Sequence, residues 1–425
     1  MKRREFIAKT VLGASAFTIL PRHVLGGNGF LSPSDRINLG YIGVGKQSIG
    51  LMRSIANVKE THVLAAADVD KIKLNHFLGE STKTNAAKAA LQVQGYEDYR
   101  ELLSRKDIDA VVIASPDHWH AMHTVDSAKA GKDIYCEKPL ALTIGEGRAM
   151  VNAVRKYKRV LQTGSMQRSQ HNFRQAADLI RNGYIGDIKE VNVSVGVPVK
   201  QCDLPSLPTP AHLNWDLWIG PSMYRGYNPI LSPPIDSPEW AMWRLYKDFG
   251  GGYITDWGAH MFDIVQWALN QDDSGPVQFM PPSTPMAKEG CEFVYKNGVR
   301  VRHKSWGSFN AIQFIGTEGT LEVAREFIRT SKPEIATLKI EDKARKVYYS
   351  DNHYQDWIDS IKSRKKPICD VEVGHRTSTV CNAVNIAYDL QKPLKWDPVK
   401  EKFDNHYANN QISRSYRGQW DYLDF

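Results

Sequence analysis

Two short stretches of the 425-residue chain carry residue types at spacings that could do chemistry. In the run Phe249-Gly250-Gly251-Gly252-Tyr253-Ile254-Thr255-Asp256-Trp257-Gly258-Ala259-His260, Asp256 and His260 stand four apart and so share a helix face, and the glycines ahead of them let backbone approach a ligand. An imidazole is suited to take a proton near neutral pH; the same spacing also fits an Asp that caps a helix over a satisfied core His. In Gly43-Val44-Gly45-Lys46-Gln47-Ser48, the glycines let backbone amides approach a pyrophosphate at a helix N-terminus, where the dipole favours an anion. Ser48 holds the third glycine position and is small enough for close helix packing. Alone, this turn fits a plain tight turn equally well. Its context adds Asp68, 23 residues after Gly45, placed to accept from a ribose 2′-hydroxyl and to repel a 2′-phosphate, which favours NAD over NADP.

Two further runs sit at strand carboxyl ends, where open α/β sheets bind ligands: Ala114-Ser115-Pro116-Asp117-His118-Trp119-His120 and Tyr135-Cys136-Glu137-Lys138-Pro139-Leu140. His118, His120 and His123 do not converge on one helix face, and no cysteine pair assists them, so no metal site is expected. The five cysteines are scattered, without a Cys-x-x-Cys, and read as small core residues.

These residues need a scaffold to position them, and the chain is an α/β one. From Ile37 to about residue 160, strand-like apolar runs alternate with helical patterns, which predicts a doubly wound parallel sheet over 36–160. From about Ile188 strand-like runs follow one another with few helices, which predicts a second, α+β domain over 161–425 with a mostly antiparallel sheet. The Trp- and Pro-rich stretch Pro205 to Trp243 has neither period and reads as long loops at a binding cleft, with Trp215, Trp218 and Trp243 offering faces for sugar rings or simple packing.

With 42% hydrophobic and 24% charged residues the composition is that of a globular protein, not a disordered or fibrous one. The net charge of +8 is uneven: residues 1–26 hold five Lys or Arg against Glu5 alone, half of the excess. That segment has a basic start, an apolar run Val11 to Leu20 too short to span a bilayer, and Arg3-Arg4 followed by Glu5-Phe6-Ile7; it resembles a twin-arginine export signal. A basic tail is the other reading. An exported, periplasmic location is expected, with no stable membrane span, and the dispersed remaining charge gives no reason to expect a nucleic-acid partner.

Gly43-Val44-Gly45, Pro116 to His120, Glu137-Lys138-Pro139 and Asp256-x-x-x-His260, in this order, resemble the Gfo/Idh/MocA oxidoreductases over about residues 36–420. The resemblance implies an N-terminal Rossmann domain, a C-terminal domain on a large antiparallel sheet, and nicotinamide-dependent oxidation or reduction of a sugar or polyol carbon. It makes Lys138, Asp256 and His260 the catalytic set: His260 takes the hydroxyl proton, Lys138 stabilises the alkoxide, and Asp256 positions the substrate hydroxyl or the imidazole. Cofactor contacts are expected from Gly43, Gly45, Lys46, Gln47, Ser48, Asp68, Ser115, Pro116, Trp119, His120, Glu137, Lys138 and Gln167, the last within the matching run Gly164 to Arg168. A carbohydrate substrate and a homodimer or homotetramer follow from the same resemblance; export in the folded state, away from a free nicotinamide pool, implies that NAD stays tightly bound. One branch of the family cleaves N-acetylgalactosaminides by transient oxidation and elimination, which gives the alternative activity.

Overall fold

The computed structural model describes residues 35–85 and 92–420, so the export segment 1–26 lies outside the described residues. Within them, the apolar runs of the first third form β1 (Ile37–Ile42), β2 (Thr61–Ala67), β3 (Gln94–Tyr96), β4 (Ala110–Ile113), β5 (Asp133–Cys136) and β6 (Leu161–Thr163). They lie in the order β3-β2-β1-β4-β5-β6 with every pairing parallel, joined by helices Lys46–Ile55, Lys71–Asn85, Tyr99–Ser104, His120–Lys129 and Ile144–Lys156. β4 and β5 are buried along their whole length, which is why they read as nearly unbroken apolar runs rather than as alternation. The strand order reverses between β1 and β4, and a crevice opens there at the strands' carboxyl ends. A domain boundary at residue 160 falls one residue short of β6: pairing of Ile134 with Leu161 and of Cys136 with Thr163 assigns that run to the first sheet, and periodicity cannot show this.

The second sheet has nine strands: β7 (Ile188–Ser194), β8 (Gln278–Met280), β9 (Glu292–Val294), β10 (Arg300–His303), β11 (Ala311–Gly316), β12 (Thr320–Val323), β13 (Ile328–Thr330), β14 (Leu394–Asp397) and β15 (Lys402–Phe403). Their order is β13-β12-β11-β7-β10-β9-β8-β14-β15, antiparallel except where β7 meets β10. Val191, Val193, Phe293, Val301 and Phe314 point into one core with helices His171–Arg181, Gly258–Ala268 and Val371–Leu390. Alternate residues form a polar face, on which Arg302 donates to Glu190 and Glu292, and Asn192, Gln313 and Glu322 form a chain of hydrogen bonds.

Helix Gly258–Ala268 is buried at every residue, and this holds His260 in place. Its Asp263 takes a two-bond ion pair from Arg168 at 2.8 Å and a hydrogen bond from Thr377. Both ions of the Arg168–Asp263 pair are buried and Arg168 also holds Asp272, so removing Arg168 would leave the Asp263 charge buried without its cation, a change worth about 3–5 kcal/mol.

The stretch from Pro205 to Trp243 is mostly loop, as expected, and carries its own small core. Leu213, Trp215, Trp218, Ile219, Tyr227 and Leu231 pack with Tyr246 and Phe249. Trp215 and Trp218 stack on each other at 4.4 Å and are buried, so this pair serves packing first; Trp218 and Trp243 also reach the wall of the cleft. Backbone bonds from Lys71 to His212 and from Asn214 to Val69 seat this cap on the first domain.

Candidate active site

At one end of the crevice the backbone does the shaping. Gly43 has φ +78° and a Cβ there would lie 2.6 Å from the Ser115 backbone, so the turn closes only with glycine. Gly45 precedes helix Lys46–Ile55 and has nothing within 4 Å of its Cβ position, an open approach to the helix N-terminus. Ser48 packs with no exposure, under the helix. Asp68 accepts from the amides of Val44 (2.7 Å) and Asp70 (2.9 Å) at the end of β2, and burial pushes its pKa up. A cavity here is walled by Gly43, Gly45, Lys46, Gln47, Asp68, Ser115, Pro116 and Trp119, and across from them by 231–235 and 239–244 of the loop cap. An open glycine cradle at a helix N-terminus with a carboxylate at the end of β2 fits the phosphates and ribose of a dinucleotide.

The cap is tied down over this cavity. Lys46 Nζ donates to the carbonyl oxygens of Ser237 and Glu239 and lies 5.9 Å from the Trp240 ring; Lys73 Nζ donates to Ser232 Oγ at 2.6 Å.

At the other end side chains do the work. Lys138 Nζ donates to Asp256 Oδ1 at 2.6 Å and to its carbonyl at 3.1 Å. Arg244 Nε lies 3.5 Å from Asp256 Oδ2, so two cations hold the carboxylate. Burial pushes the Asp256 pKa up, but Lys138 and Arg244 outweigh it and the group sits below the usual carboxylate range. Burial likewise opposes the charge on Lys138, and Asp256 and Glu137 more than restore it. His260 is buried, its ring centroid 5.7 Å from that of Trp257, with Nδ1 unpartnered. Burial, with the cations of Lys138 and Arg325 behind it, pushes the His260 pKa well below the ordinary value, so the imidazole is neutral at neutral pH and free to accept a proton.

Other expected residues take different places. Glu137 is buried, accepts from Gln47 Nε2 at 3.1 Å, and leaves no room for a Cβ on Gly164, which would lie 2.8 Å from its carboxylate. Gln167 is fully buried with both amide atoms unpartnered. His120 is off the cavity wall: its two ring nitrogens face the carbonyls of Pro139 and Ser115, each at 2.9 Å, which ties together the ends of β4 and β5. His118 bonds the Trp218 carbonyl and His123 the Ser115 hydroxyl, so the three histidines are each committed to protein hydrogen bonds and do not converge. Among the described residues no group of His, Cys, Asp or Glu is arranged to hold a metal ion, and no helix is long and apolar enough to cross a membrane.

Three residues beyond the expected set join the reacting end. Asp117 is buried beside Lys138, Asp256, Arg244 and Glu137, and burial raises its pKa well above the ordinary range, which favours the protonated acid. Arg244 comes from the loop cap and Arg325 from the turn between β12 and β13. For Asp117 the signal was present, inside the run Ser115 to His120 that already stood at a strand end. The two arginines carry no local signal, because only the tertiary fold brings them there.

A doubly wound sheet with a glycine cradle at its switch point, and a Lys–Asp–His cluster reached from the same cavity through Arg244, defines a dinucleotide-binding scaffold. Residues 37–165 match the oxidoreductase family NAD-binding Rossmann fold, and residues 191–422 match the oxidoreductase family C-terminal alpha/beta domain. The chain belongs to the Gfo/Idh/MocA oxidoreductase family. It is 28% identical over 185 residues to a glycosyl hydrolase family 109 protein of Shewanella sp. (strain ANA-3), covering 43% of this chain and 40% of that one. To an alpha-N-acetylgalactosaminidase of Shewanella oneidensis it is 26% identical over the same length and shares. To the rhizopine catabolism protein MocA of Rhizobium meliloti it is 25% identical over 237 residues, 56% of this chain and 58% of that one. The match thus spans about two fifths of the length of the glycosidase relatives. The fold is shared with the WlbA dehydrogenase from Bordetella pertussis in complex with NADH and UDP-GlcNAcA (TM-score 0.61, 17% identity, 85% of this chain and 98% of that one). It is shared also with an aldose-aldose oxidoreductase from Caulobacter crescentus (TM-score 0.58, 17% identity, 85% and 99%).

Proposed function

We propose that the protein is a nicotinamide-dependent oxidoreductase acting on a hydroxyl or carbonyl of a sugar, polyol or glycoside. The observation that carries this reading is the Lys138–Asp256 pair at 2.6 Å beside a buried, neutral His260, joined to the dinucleotide cavity by Arg244, which lines that cavity and lies 3.5 Å from Asp256. Nicotinamide, when bound, supplies the hydride acceptor. His260 takes the hydroxyl proton as the carbinol carbon is oxidised; Lys138 stabilises the developing alkoxide; Asp256, held by Lys138 and Arg244, orients the hydroxyl. Gly43, Gly45 and Lys46 would hold the pyrophosphate, and Asp68 the adenosine ribose, which favours NAD over NADP. Lys46 and Lys73 tie the cap across the cavity, a reason for the cofactor to stay bound and be regenerated in place by a second carbonyl compound. Retention suits export of a folded, loaded protein by Arg3-Arg4. The polar outer face of the nine-stranded sheet is the surface through which a dimer or tetramer would form.

A second reading keeps the redox cycle within one substrate. Transient oxidation of a ring carbon acidifies its neighbour, the glycosidic bond leaves by elimination, water adds, and the carbonyl is reduced back. The glycosidase relatives favour it, and Asp117, whose pKa burial raises, stands at the reacting end where a proton donor is needed. Purified protein with its nicotinamide identified by mass spectrometry, mixed with sugars and glycosides in a single turnover, separates the two. Net change in nicotinamide absorbance supports the oxidoreductase; aglycone release without net change supports the glycosidase; neither, over a broad panel, sinks both.

A further inference from the structure

Resting on the reading above, the next question is what kind of sugar the site selects. The reacting end holds three cations, and two of them are engaged: Lys138 and Arg244 both hold Asp256. Arg325 is not. Among the described residues it makes no ion pair with a carboxylate within 4.0 Å. Its guanidinium, on an exposed side chain, lies 4.6 Å from the centre of the Trp257 ring, and that ring stands 5.7 Å from the His260 imidazole. The backbone is fixed: Ala324 N–H donates to the Phe327 carbonyl, closing the turn, and Asn172 Nδ2 donates to the Arg325 carbonyl at 3.0 Å. A cation therefore stands ready, five N–H donors on a rigid plane, beside the group that takes the proton.

The dinucleotide does not account for it. The pyrophosphate cradle lies around Gly43 to Lys46 at the opposite end, and the cavity wall there does not include Arg325. Nor do the remaining carboxylates: Asp256 is already doubly paired, Glu137 is buried against Gln47 and Gly164, and Glu326, the charge that acts most on Arg325, is exposed and forms no ion pair with it. One unpaired guanidinium matches one carboxylate, planar and singly charged; a phosphate monoester, near −2, would need a second free cation. We propose that Arg325 is a specificity-determining residue that binds a carboxylate on the substrate, so that the preferred substrates are sugar acids, hexuronates or their glycosides. The Arg325 cation also helps depress the His260 pKa, so a bound carboxylate would relieve that effect and strengthen the base once substrate is in place.

The test is calorimetric titration of the full-length, cofactor-loaded protein with glucuronate, galacturonate and mannuronate, each against its parent hexose, and with glucose 6-phosphate. A charge-assisted bidentate contact predicts that at least one hexuronate binds about tenfold or more tighter than its hexose. Arg325→Ala should bring that pair to parity while leaving hexose affinity and melting temperature in place, and Arg325→Lys should restore part of the preference. Parity in the unaltered protein, a preference that survives in Arg325→Ala, or tighter binding of glucose 6-phosphate than of any hexuronate would overturn the assignment. A preference that depends on Arg325, in a protein that turns over no sugar at all, would support the carboxylate site and sink the redox reading instead.

Discussion

The two ends of the crevice are built by different means. At the cradle, one contiguous turn and the end of the next strand supply backbone shape, and only Gly43 is dictated sterically. At the reacting end, five separate segments supply polar side chains: Asp117 after β4, Lys138 after β5, Arg244 from the cap, Asp256 and His260 around a buried helix start, and Arg325 from a hairpin, with Lys138 and Arg244 paired to Asp256. Backbone shape tolerates most side-chain change and fails by steric strain. A charge cluster keeps its shape and fails in its chemistry.

The largest effect expected is at the reacting end. Lys138→Ala and His260→Ala should each lower turnover by about 10²–10⁴-fold, the range for losing a general base or an oxyanion donor. Bound nicotinamide, counted by absorbance per chain, should stay at the unaltered level. Full activity in both variants, or loss of cofactor in either, would show that the two ends are not separable in this way. The converse substitution is Gly43→Val. Its Cβ would meet the Ser115 backbone at 2.6 Å and φ is +78°, so a stability loss of about 1–3 kcal/mol is expected, together with loss of cofactor. Gly45→Ala is the control, because nothing lies within 4 Å of its Cβ position: the cofactor-free protein should unfold at the same urea concentration, and only cofactor content should drop.

The same contrast explains what the sequence made readable. The doubly wound sheet, the turn Gly43 to Ser48, Asp68 and the strand-end runs are local patterns, and the parallel sheet places them by rule once strands and helices alternate. The second sheet was legible as a class and not as an order, since nothing in β7 indicates that it pairs parallel with β10, more than a hundred residues on. Arg244 and Arg325 were illegible for the same reason. His120 shows the opposite error: it stands in a motif at a strand end, yet its two ring nitrogens are committed to protein carbonyls. Position in a motif does not reveal which way a side chain turns.

Buried histidines extend the comparison to pH. Burial pushes His118 and His353 down to about 3 and His120 down to about 4. Unfolded, each takes up a proton near pH 6.5. The depressed folded values mean that their stability contribution is fully present above that pH and is lost as pH falls from about 6.5 toward 4, by up to about 1.4 kcal/mol per unit for each group. His353 is the simplest probe, because its ring has a single hydrogen-bonding neighbour, the Thr163 backbone. His353→Gln should reduce the slope of the urea midpoint between pH 4 and 6.5 by close to one proton; an unchanged slope would mean that the histidine is already charged in the folded protein.

The smallest effect expected is at the strap that joins the two ends. Lys46 anchors it to the cradle through the Ser237 and Glu239 carbonyls, and Arg244, a few residues on, reaches Asp256. If the strap only retains cofactor, Lys46→Ala removes part of its anchorage while Arg244 remains drawn to the Asp256 carboxylate. One hydrogen-bonding group of this kind contributes about 0.5–1.5 kcal/mol, so cofactor release, followed by dilution into a nicotinamide scavenger, should accelerate roughly 2–10-fold. The turnover number at saturating cofactor should stay within about twofold, since chemistry depends on charges that the substitution leaves in place. A matching fall in turnover would mean that anchoring the strap is what positions Arg244, and that the cradle and the reacting centre work as one unit rather than two.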